Sequence, residues 1–460
     1  MRGFVPTPAT IVDLMVEKLF ADRPPTTDSV VLDPGCGPGA FIEGVIRWCG
    51  DRGVPMPQIV GIESDPHHAS IASERFSAVP QVRIVNADFL NQRDERYDYV
   101  IGNPPYVPIT ALDVNERESY RKVYRTARGR FDLYLLFFEQ ALSLLRSSGR
   151  MVFVTPEKFL YVQTAEPLRR LLGNFRVNEL HFLDESTFVN LVTYPLVTTI
   201  TAGSAPGDTT IVHRDGRNVV ARLTSVLGSW LPVIRGGNQE ADTLTLTDIC
   251  VRISCGVATG ADSVYLVRTA DLDPRLRSYA RPTVAGRQLG PGKPLSPIHS
   301  LLLPYSDDGR LLPEDNLGEL GHYLSEGSRR ARLEKRTCVS RKPWYAYHET
   351  PPLNEALRPK ILCKDIGAAP FFISDLNGAI LPRHSVYYIV PRSSDVIPEL
   401  TAYLNSAPTQ QWLRDHCQRA DKDFVRLQSH VLKRLPLPAR FERLRHTDSQ
   451  LRIDAEAIPA

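Results

Sequence analysis

Short apolar runs recur through the first 200 residues at 30–32, 59–62, 82–85, 97–101 and 151–154, each suited to a buried strand. Between several of them lie stretches with apolar residues at helical spacing, notably 41–48 and 131–145. Strands separated by helix-length segments predict a parallel sheet covered on both faces. Thr7-Pro8 stands before Ile11, Leu14, Met15 and Leu19, and predicts a helix with a hydroxyl at the N-cap and proline at the first helical position. Residues 203–209 hold several turn formers and no bulky apolar side chain, and read as a linker. Past about residue 210 the pattern turns irregular. Short β-branched runs at 211–212, 264–267 and 386–390 alternate with Gly/Pro-rich turns at 286–294 and 304–313. The expected layout is an α/β domain over 1–202, a mixed, mainly β domain over 210–440, and a loosely held polar tail over 441–460.

Composition adds mainly exclusions. The chain has 460 residues, 42% apolar and 23% charged, so wholesale disorder is excluded. No stretch of 18 apolar residues occurs and no apolar core follows the N-terminal residues, which predicts a soluble protein without a membrane span or signal peptide. Seven scattered cysteines without a C-x-x-C pair argue against a disulfide framework or zinc ribbon and fit a reducing cytoplasm. The net charge of +3 conceals an asymmetry. Residues 1–200 hold 21 basic and 24 acidic side chains, whereas the remaining 260 hold 34 and 28.

Two motifs carry chemistry. The first is Val30-Val31-Leu32-Asp33-Pro34-Gly35-Cys36-Gly37-Pro38-Gly39-Ala40-Phe41, a strand, a glycine-rich turn and a helix start. Glycines let the backbone turn tightly and approach a ligand, although such turns also serve packing. The spacing is G-x-G-x-G, and the next acidic residue at a strand end is Glu63, so the dinucleotide fingerprint G-x-G-x-x-G is not met. Asp33, ahead of the glycines, places a carboxylate where an ammonium could sit, which suits an amino-acid-bearing cofactor. The cluster resembles a methyltransferase site for S-adenosylmethionine. By that resemblance Thr7, Asp33, Pro34, Gly35 and Gly37 hold the methionine part, Glu63 takes the ribose hydroxyls, and Asp88 with Phe89 meets the adenine.

The second motif, Asn103-Pro104-Pro105-Tyr106, directly follows the apolar run 97–101. Ligands of open α/β sheets bind beyond the carboxyl ends of strands. Two prolines stiffen the turn, because each fixes φ near −65° and extends its predecessor. An exocyclic or carboxamide nitrogen is a poor nucleophile, its lone pair being delocalised. The Asn103 side-chain oxygen and the Pro104 carbonyl could each accept one of its N–H bonds and aim the lone pair at a methyl donor. Tyr106 offers an aromatic face for stacking. The bland alternative is a rigid turn packed on a tyrosine.

The order Thr7-Pro8, glycine loop, Glu63, Asp88-Phe89, Asn103–Tyr106 and a long C-terminal region resembles the gamma-class, TaqI-like N6-adenine DNA methyltransferases. The segment Gly129-Arg130-Phe131-Asp132-Leu133-Tyr134 also matches that family. So, in order, do Gly256-Val257-Ala258-Thr259-Gly260-Ala261-Asp262-Ser263-Val264-Tyr265, Arg281-Pro282-Thr283-Val284-Ala285-Gly286-Arg287, Pro359–Ile366, Leu404-Asn405-Ser406 and Leu435-Pro436-Leu437-Pro438. The resemblance implies a Rossmann-like S-adenosylmethionine-dependent catalytic domain followed by a target-recognition domain. It implies a site-specific enzyme, part of a restriction-modification or related system, methylating N6 of an adenine flipped from duplex DNA. Phe188 matches the position of a second aromatic stacking on that base, with core packing as the alternative.

Extruding a base costs about a few kcal/mol, which phosphate contacts help offset. Candidates are Arg117, Arg121, Lys122, Arg125, Arg128 and Arg130, with Arg121, Arg125, Arg128 and Arg130 foremost. A second group runs Arg329, Arg330, Arg332, Lys335, Arg336, Arg341 and Lys342, followed by Trp344, Tyr345 and Tyr347. Either group could instead be a solvated helix face. His67-His68 reads as a helix start, and no metal site is expected. Other readings are methylation of protein glutamine or of RNA, or a non-catalytic DNA-specificity subunit. The expected state is a cytoplasmic monomer, any cognate endonuclease being a separate chain.

Overall fold

The computed structural model describes residues 3–93, 95–188, 194–223, 228–236, 244–421 and 424–445. The chain divides into two compact units, Met1–Gln239 and Glu240–Ala460. The first unit is built on strands β1 (Val30–Pro34), β2 (Gln58–Glu63), β3 (Val82–Asn86), β4 (Tyr97–Gly102), β5 (Leu145–Pro156), β6 (Arg176–Phe182), β7 (Pro195–Thr201), β8 (Asp208–Val212) and β9 (Asn218–Arg222). They form one sheet in the order β3-β2-β1-β4-β5-β7-β6-β8-β9. Strands β1 to β5 are mutually parallel, and β7 runs antiparallel between β5 and β6.

The order reverses between β1 and β4. Each crossover carries the chain over the sheet to a parallel neighbour, and the two directions of winding leave a crevice at the strands' carboxyl ends. Adjacent side chains along β1 and β4 alternate between the faces. Val31, Tyr99 and Ile101 pack with helices α1 (Ala9–Phe20) and α2 (Ala40–Arg52). Leu32 and Val100 belong to the opposite core, with the Leu133–Leu144 helix. Two further helices matter below: α3 (Pro66–Arg75) and α4 (Val114–Val123), with the Leu133–Leu144 helix as α5.

Two details differ from the sequence expectation. Pro8, not Thr7, is the N-cap of α1, and its carbonyl receives the amides of Ile11 and Val12. That releases the Thr7 hydroxyl for another partner. The boundary expected at 202–210 also moves. Gly203 takes φ +71° and turns the chain back, and β8 then pairs in parallel with β6, burying Ile211 completely. Residues 203–209 are thus a turn within the first unit and not a linker between units.

The second unit carries β10 (Cys250–Cys255), β11 (Leu266–Arg268), β12 (Ala280–Val284), β13 (His299–Leu302), β14 (Lys360–Lys364), β15 (Ile366–Gly367), β16 (Phe372–Asp375), β17 (Leu381–Pro382), β18 (Val386–Pro391), β19 (Gln418–Asp421) and β20 (Phe424–Arg426). These make two four-stranded sheets, β10-β18-β14-β16 and β11-β13-β12-β17, and a three-stranded one, β15-β20-β19. Short helices join them, so the unit is mixed α/β. Among the described residues no helix is long and apolar enough to cross a membrane. Of the expected tail, 446–460 lies outside the described residues, while Ala439–Leu444 is a 3-10 turn whose Phe441 is 0% exposed. Phe441 joins Leu246, Ile249, Leu404 and Leu432 in one apolar cluster, which holds the segment down. Phe441→Ala should therefore destabilise the second unit by about 3–5 kcal/mol, read as a lowered denaturant midpoint.

Candidate active site

The loop after β1 is tied to β2, since the Gly35 and Cys36 amides donate to the Ile62 carbonyl at 2.7 and 3.0 Å. Gly37 takes φ +55°, and a Cβ there would stand 2.8 Å from Cε2 of Phe4. The positive φ favours glycine, and a side chain there would displace the Phe4 ring. The Gly37 amide donates to Oε2 of Glu63 at 2.8 Å, while the Asp65 amide donates to Oε1 at 2.7 Å. Glu63 is thus fixed at the end of β2 by two backbone donors. Asp65 in turn caps α3 by accepting from the amides of His67 and His68, and the two histidines open that helix.

Asp33 lies beneath this loop at 1% exposure. Neither carboxylate oxygen has a hydrogen-bond partner among the described residues. Burial first, and the negative charge of Glu63 second, hold its pKa well above the ordinary carboxylate value. Keeping such a group ionised costs on the order of several kcal/mol unless a cation or donors approach it. An ammonium group supplies both.

Asn103 closes the site from β4. Its Nδ2 donates to the Val5 carbonyl and to the Thr7 hydroxyl oxygen, each at 3.1 Å. A backbone carbonyl can only accept, so this contact decides which end of the amide is nitrogen. Among the described residues, the buried Oδ1 atom has no hydrogen-bond partner. Beyond it, Tyr106 packs edge-to-face on Tyr134, and its hydroxyl donates to the Val154 carbonyl at 3.3 Å. Burial keeps that phenol neutral by raising its pKa. The Val107 amide donates to Oδ1 of Asp132, whose pKa burial pushes up to about 6. The Leu133 amide donates back to the Val107 carbonyl.

A cavity of about 510 Å³ opens at this switch point. Its wall includes Gly35, Glu63, Asp88, Asn103 and Pro105, which the sequence nominated, together with Phe4, Asp65, Glu116, Tyr120 and Phe137, which it did not. Phe4, ahead of Thr7-Pro8, and Tyr120 and Phe137, within helices, carry no local sequence signal that marks a cavity wall. Asp88 lines the cavity while its Oδ1 accepts from the Leu90 amide, and burial raises its pKa. Phe89 does not line it. It is buried behind Phe137, ring centroids 5.1 Å apart.

Pro34 and Pro104 are buried in the two turns. Phe188 is not brought to the cavity: it is 3% exposed and packs in the core formed with α1 and α2. Arg121, Arg125, Arg128 and Arg130 are exposed, whereas Arg117 folds back onto the Leu112 carbonyl. The second basic group is largely committed within its own unit. Arg329 and Arg330 pair with Glu326 and Glu334, and Arg336 donates to the carbonyls of Thr259 and Trp344. Trp344, Tyr345 and Tyr347 are core side chains. Among the described residues no group of His, Cys, Asp or Glu stands ready to hold a metal ion.

The donor set fits S-adenosylmethionine on the strength of the partnerless Asp33 carboxylate. Asp33 suits the amino end, Glu63 and Asp88 offer acceptors for hydroxyl and amine hydrogens, and Phe137 offers an aromatic wall.

Comparison with known proteins finds methyltransferases of restriction-modification systems. Residues 58–188 match the family described as Eco57I restriction-modification methylase. The chain is 24% identical to the Type II methyltransferase M.PaeR7I of Pseudomonas aeruginosa over 95% of its own length and 86% of that protein's. It is also 24% identical to M.BstVI of Geobacillus stearothermophilus, over 95% and 90% of the two chains. Among solved structures, the DrdV–DNA complex superposes with a TM-score of 0.52 at 14% identity, covering 85% of this chain and 49% of that one.

The raised pKa of Asp33 sets a sign. A carboxyl that binds its proton more tightly when folded loses stability for the fold as pH rises above its ordinary value of 3.8 toward the folded pKa. Asp33→Asn removes that loss. The ligand-free variant should melt a few degrees above the unsubstituted protein at pH 8 by scanning calorimetry, with the difference shrinking toward pH 4.

Proposed function

We propose, from the match of residues 58–188 to the Eco57I restriction-modification methylase family, that the chain is a site-specific DNA methyltransferase acting on the exocyclic N6 of a flipped-out adenine. The observation that carries this is the Asn103 amide, clasped through Nδ2 so that a buried, partnerless Oδ1 is left over. A free acceptor held by two others suits a planar amine that arrives with N–H bonds to donate.

When bound, S-adenosylmethionine supplies an electrophilic methyl group on its sulfonium. Asp33 receives the ammonium, and the loop at Gly35 and Gly37 leaves the backbone bare beside it. Glu63, held by the amides of Gly37 and Asp65, presents its remaining acceptor capacity to hydroxyls. Asn103 Oδ1 and the Pro104 carbonyl accept the two hydrogens of the target amine, which pulls the nitrogen away from planarity and directs its lone pair. Pro104 and Pro105 hold these two acceptors in one turn. Tyr106, neutral and anchored through its hydroxyl, offers a ring face beside the amine. The exposed Arg121, Arg125, Arg128 and Arg130 would contact phosphates around the extruded base. The same reading takes the second unit as the target-recognition domain, the enzyme as a monomer, and a restriction endonuclease on a separate chain as its functional counterpart.

Asn103→Ala should lower the turnover of methyl transfer to duplex DNA at least about 100-fold, with S-adenosylmethionine affinity by calorimetry changed only a few-fold. Near-normal turnover would remove Asn103 from the chemistry, and a digest containing N4-methylcytosine in place of N6-methyladenine would overturn the choice of base. Replacing Arg121, Arg125, Arg128 and Arg130 by Gln should flatten the dependence of log affinity on log salt by about 0.9 for each phosphate no longer neutralised.

A further inference from the structure

Two segments of the second unit that stand out in the sequence without a role, Gly256–Tyr265 and Arg281–Arg287, meet at one place. Across the sheet β11-β13-β12-β17, Arg268 pairs with His299, His299 with Thr283, and Thr283 with Leu381. Directly opposed residues in antiparallel strands share a face, so Arg268 and His299 point the same way. Two residues past Leu381 comes Arg383, and one turn past β12, in the Gly286–Gln288 turn, comes Arg287.

Arg383 is held with unusual firmness. Its amide donates to the Val284 carbonyl at 3.3 Å, and the flanking peptides exchange bonds with Val257, whose amide donates to Pro382 and whose carbonyl accepts from His384. Gly256 approaches so closely that a Cβ there would stand 2.4 Å from the Arg383 carbonyl oxygen. The Arg383 residue is only 9% exposed, yet among the described residues its Nε–H has no acceptor. The facing carboxylate is Asp262, 3.7 Å from Nη1, and the Thr259 hydroxyl also donates to Asp262. His299 Nδ1 is likewise buried and without a partner. Burial lowers the basicity of His299, and Arg383, Arg287 and Arg268 lower it further. Arg268 is 3.8 Å from Asp271 in an exposed pair.

Arg268 on β11 opposite His299 on β13, Arg287 just past β12 and Arg383 just past β17 bring three guanidinium groups to one region of the sheet around His299, with Asp262 beside Arg383 and Asp271 beside Arg268. Held together, they repel one another, and a fixed, buried N–H aimed at no acceptor adds a further cost. An oxyanion relieves both, because the guanidinium fork matches the spacing of phosphate oxygens. We propose that Arg383, Arg287 and Arg268, with His299 as a neutral neighbour, form a subsite for a backbone phosphate of the nucleic acid. Arg383 is the fixed donor and the two exposed arginines are its flanks. Gly256–Asp262 and Arg281–Arg287 then have a shared purpose: they shape and clamp the ground on which Arg383 stands. The subsite rests on the reading of the chain as a DNA-acting enzyme, and the salt dependence and sequence dependence of binding separate a phosphate contact from a base contact.

The test uses the full-length protein and a duplex oligonucleotide, followed by fluorescence anisotropy from 50 to 200 mM salt. Arg287→Gln and Arg383→Gln should each weaken binding about ten-fold on any duplex sequence and lower the slope of log affinity against log salt by about 1. Unchanged affinity and slope in Arg287→Gln would overturn the subsite. If Arg383→Gln lowers the unfolding midpoint, Arg287→Gln and Arg268→Gln, both on exposed side chains, decide the question instead. A loss confined to one sequence, with relaxed methylation specificity and an unchanged slope, would also overturn it by assigning the arginines to a base edge. Failure of the unsubstituted protein to bind duplex DNA would strike the functional reading as well, whereas binding that the variants retain strikes only the subsite.

Discussion

The parallel pairing of β1 with β4 is the constraint on which the rest of the first unit depends. It registers Leu32 against Val100 and so brings the carboxyl end of one strand, at Asp33, beside that of the other, at Asn103. The chain winds away from this pair in opposite directions, to β2 and β3 on one side and to β5 on the other. No crossover covers the crevice between them, and the cavity opens there. Everything else in the site is arranged around two strand ends that the sheet cannot separate.

Those ends carry two acceptors that the fold leaves without donors. Asp33 is buried with both oxygens free, and Asn103 has its nitrogen engaged and its oxygen free. Buried polar groups are overwhelmingly paired in folded proteins, so two orphans at one switch point are stored interaction capacity. A cofactor bringing an ammonium to Asp33 and a substrate bringing an amine to Asn103 would together recover it. The N-terminal segment takes part directly, because Val5 and Thr7 orient the amide, and Phe4 lies against Gly37.

Charge is used differently in the two units. In the first, the carboxylates Glu63, Asp65, Asp88 and Glu116 line the cavity while exposed arginines occupy the segment following the Asn-Pro-Pro-Tyr turn. In the second, many basic residues bond to neighbouring carbonyls and acids, as Arg336 and Arg330 do. The charge run over 329–342 is therefore partly structural, whereas Arg268, His299 and Arg383 are brought to one sheet by the pairing of β11, β13, β12 and β17.

Five strand positions, the glycine turn and the Asn-Pro-Pro-Tyr turn were legible in the sequence because their signals are local: apolar runs of strand length, glycines where φ is positive, prolines where a turn must be stiff. Residues 58–188 carry enough of that local pattern to match the Eco57I restriction-modification methylase family. What the sequence left open depends on contacts between distant segments. Thr7 read as a helix cap, since a hydroxyl before Pro8 caps well, yet the hydroxyl bonds Asn103, 96 residues away. Phe188 read as a base-stacking candidate and is a core side chain, because burial against α1 and α2 is decided by packing. Residues 203–209 read as a linker because turn formers look alike within and between domains, and only the pairing of β8 with β6 places them inside. The sequence by itself determined the strands, their turns and the residue types offered to a methyl donor and an amine. The tertiary structure alone decided which acceptors remain free, since an unsatisfied hydrogen bond is a property of everything that surrounds an atom.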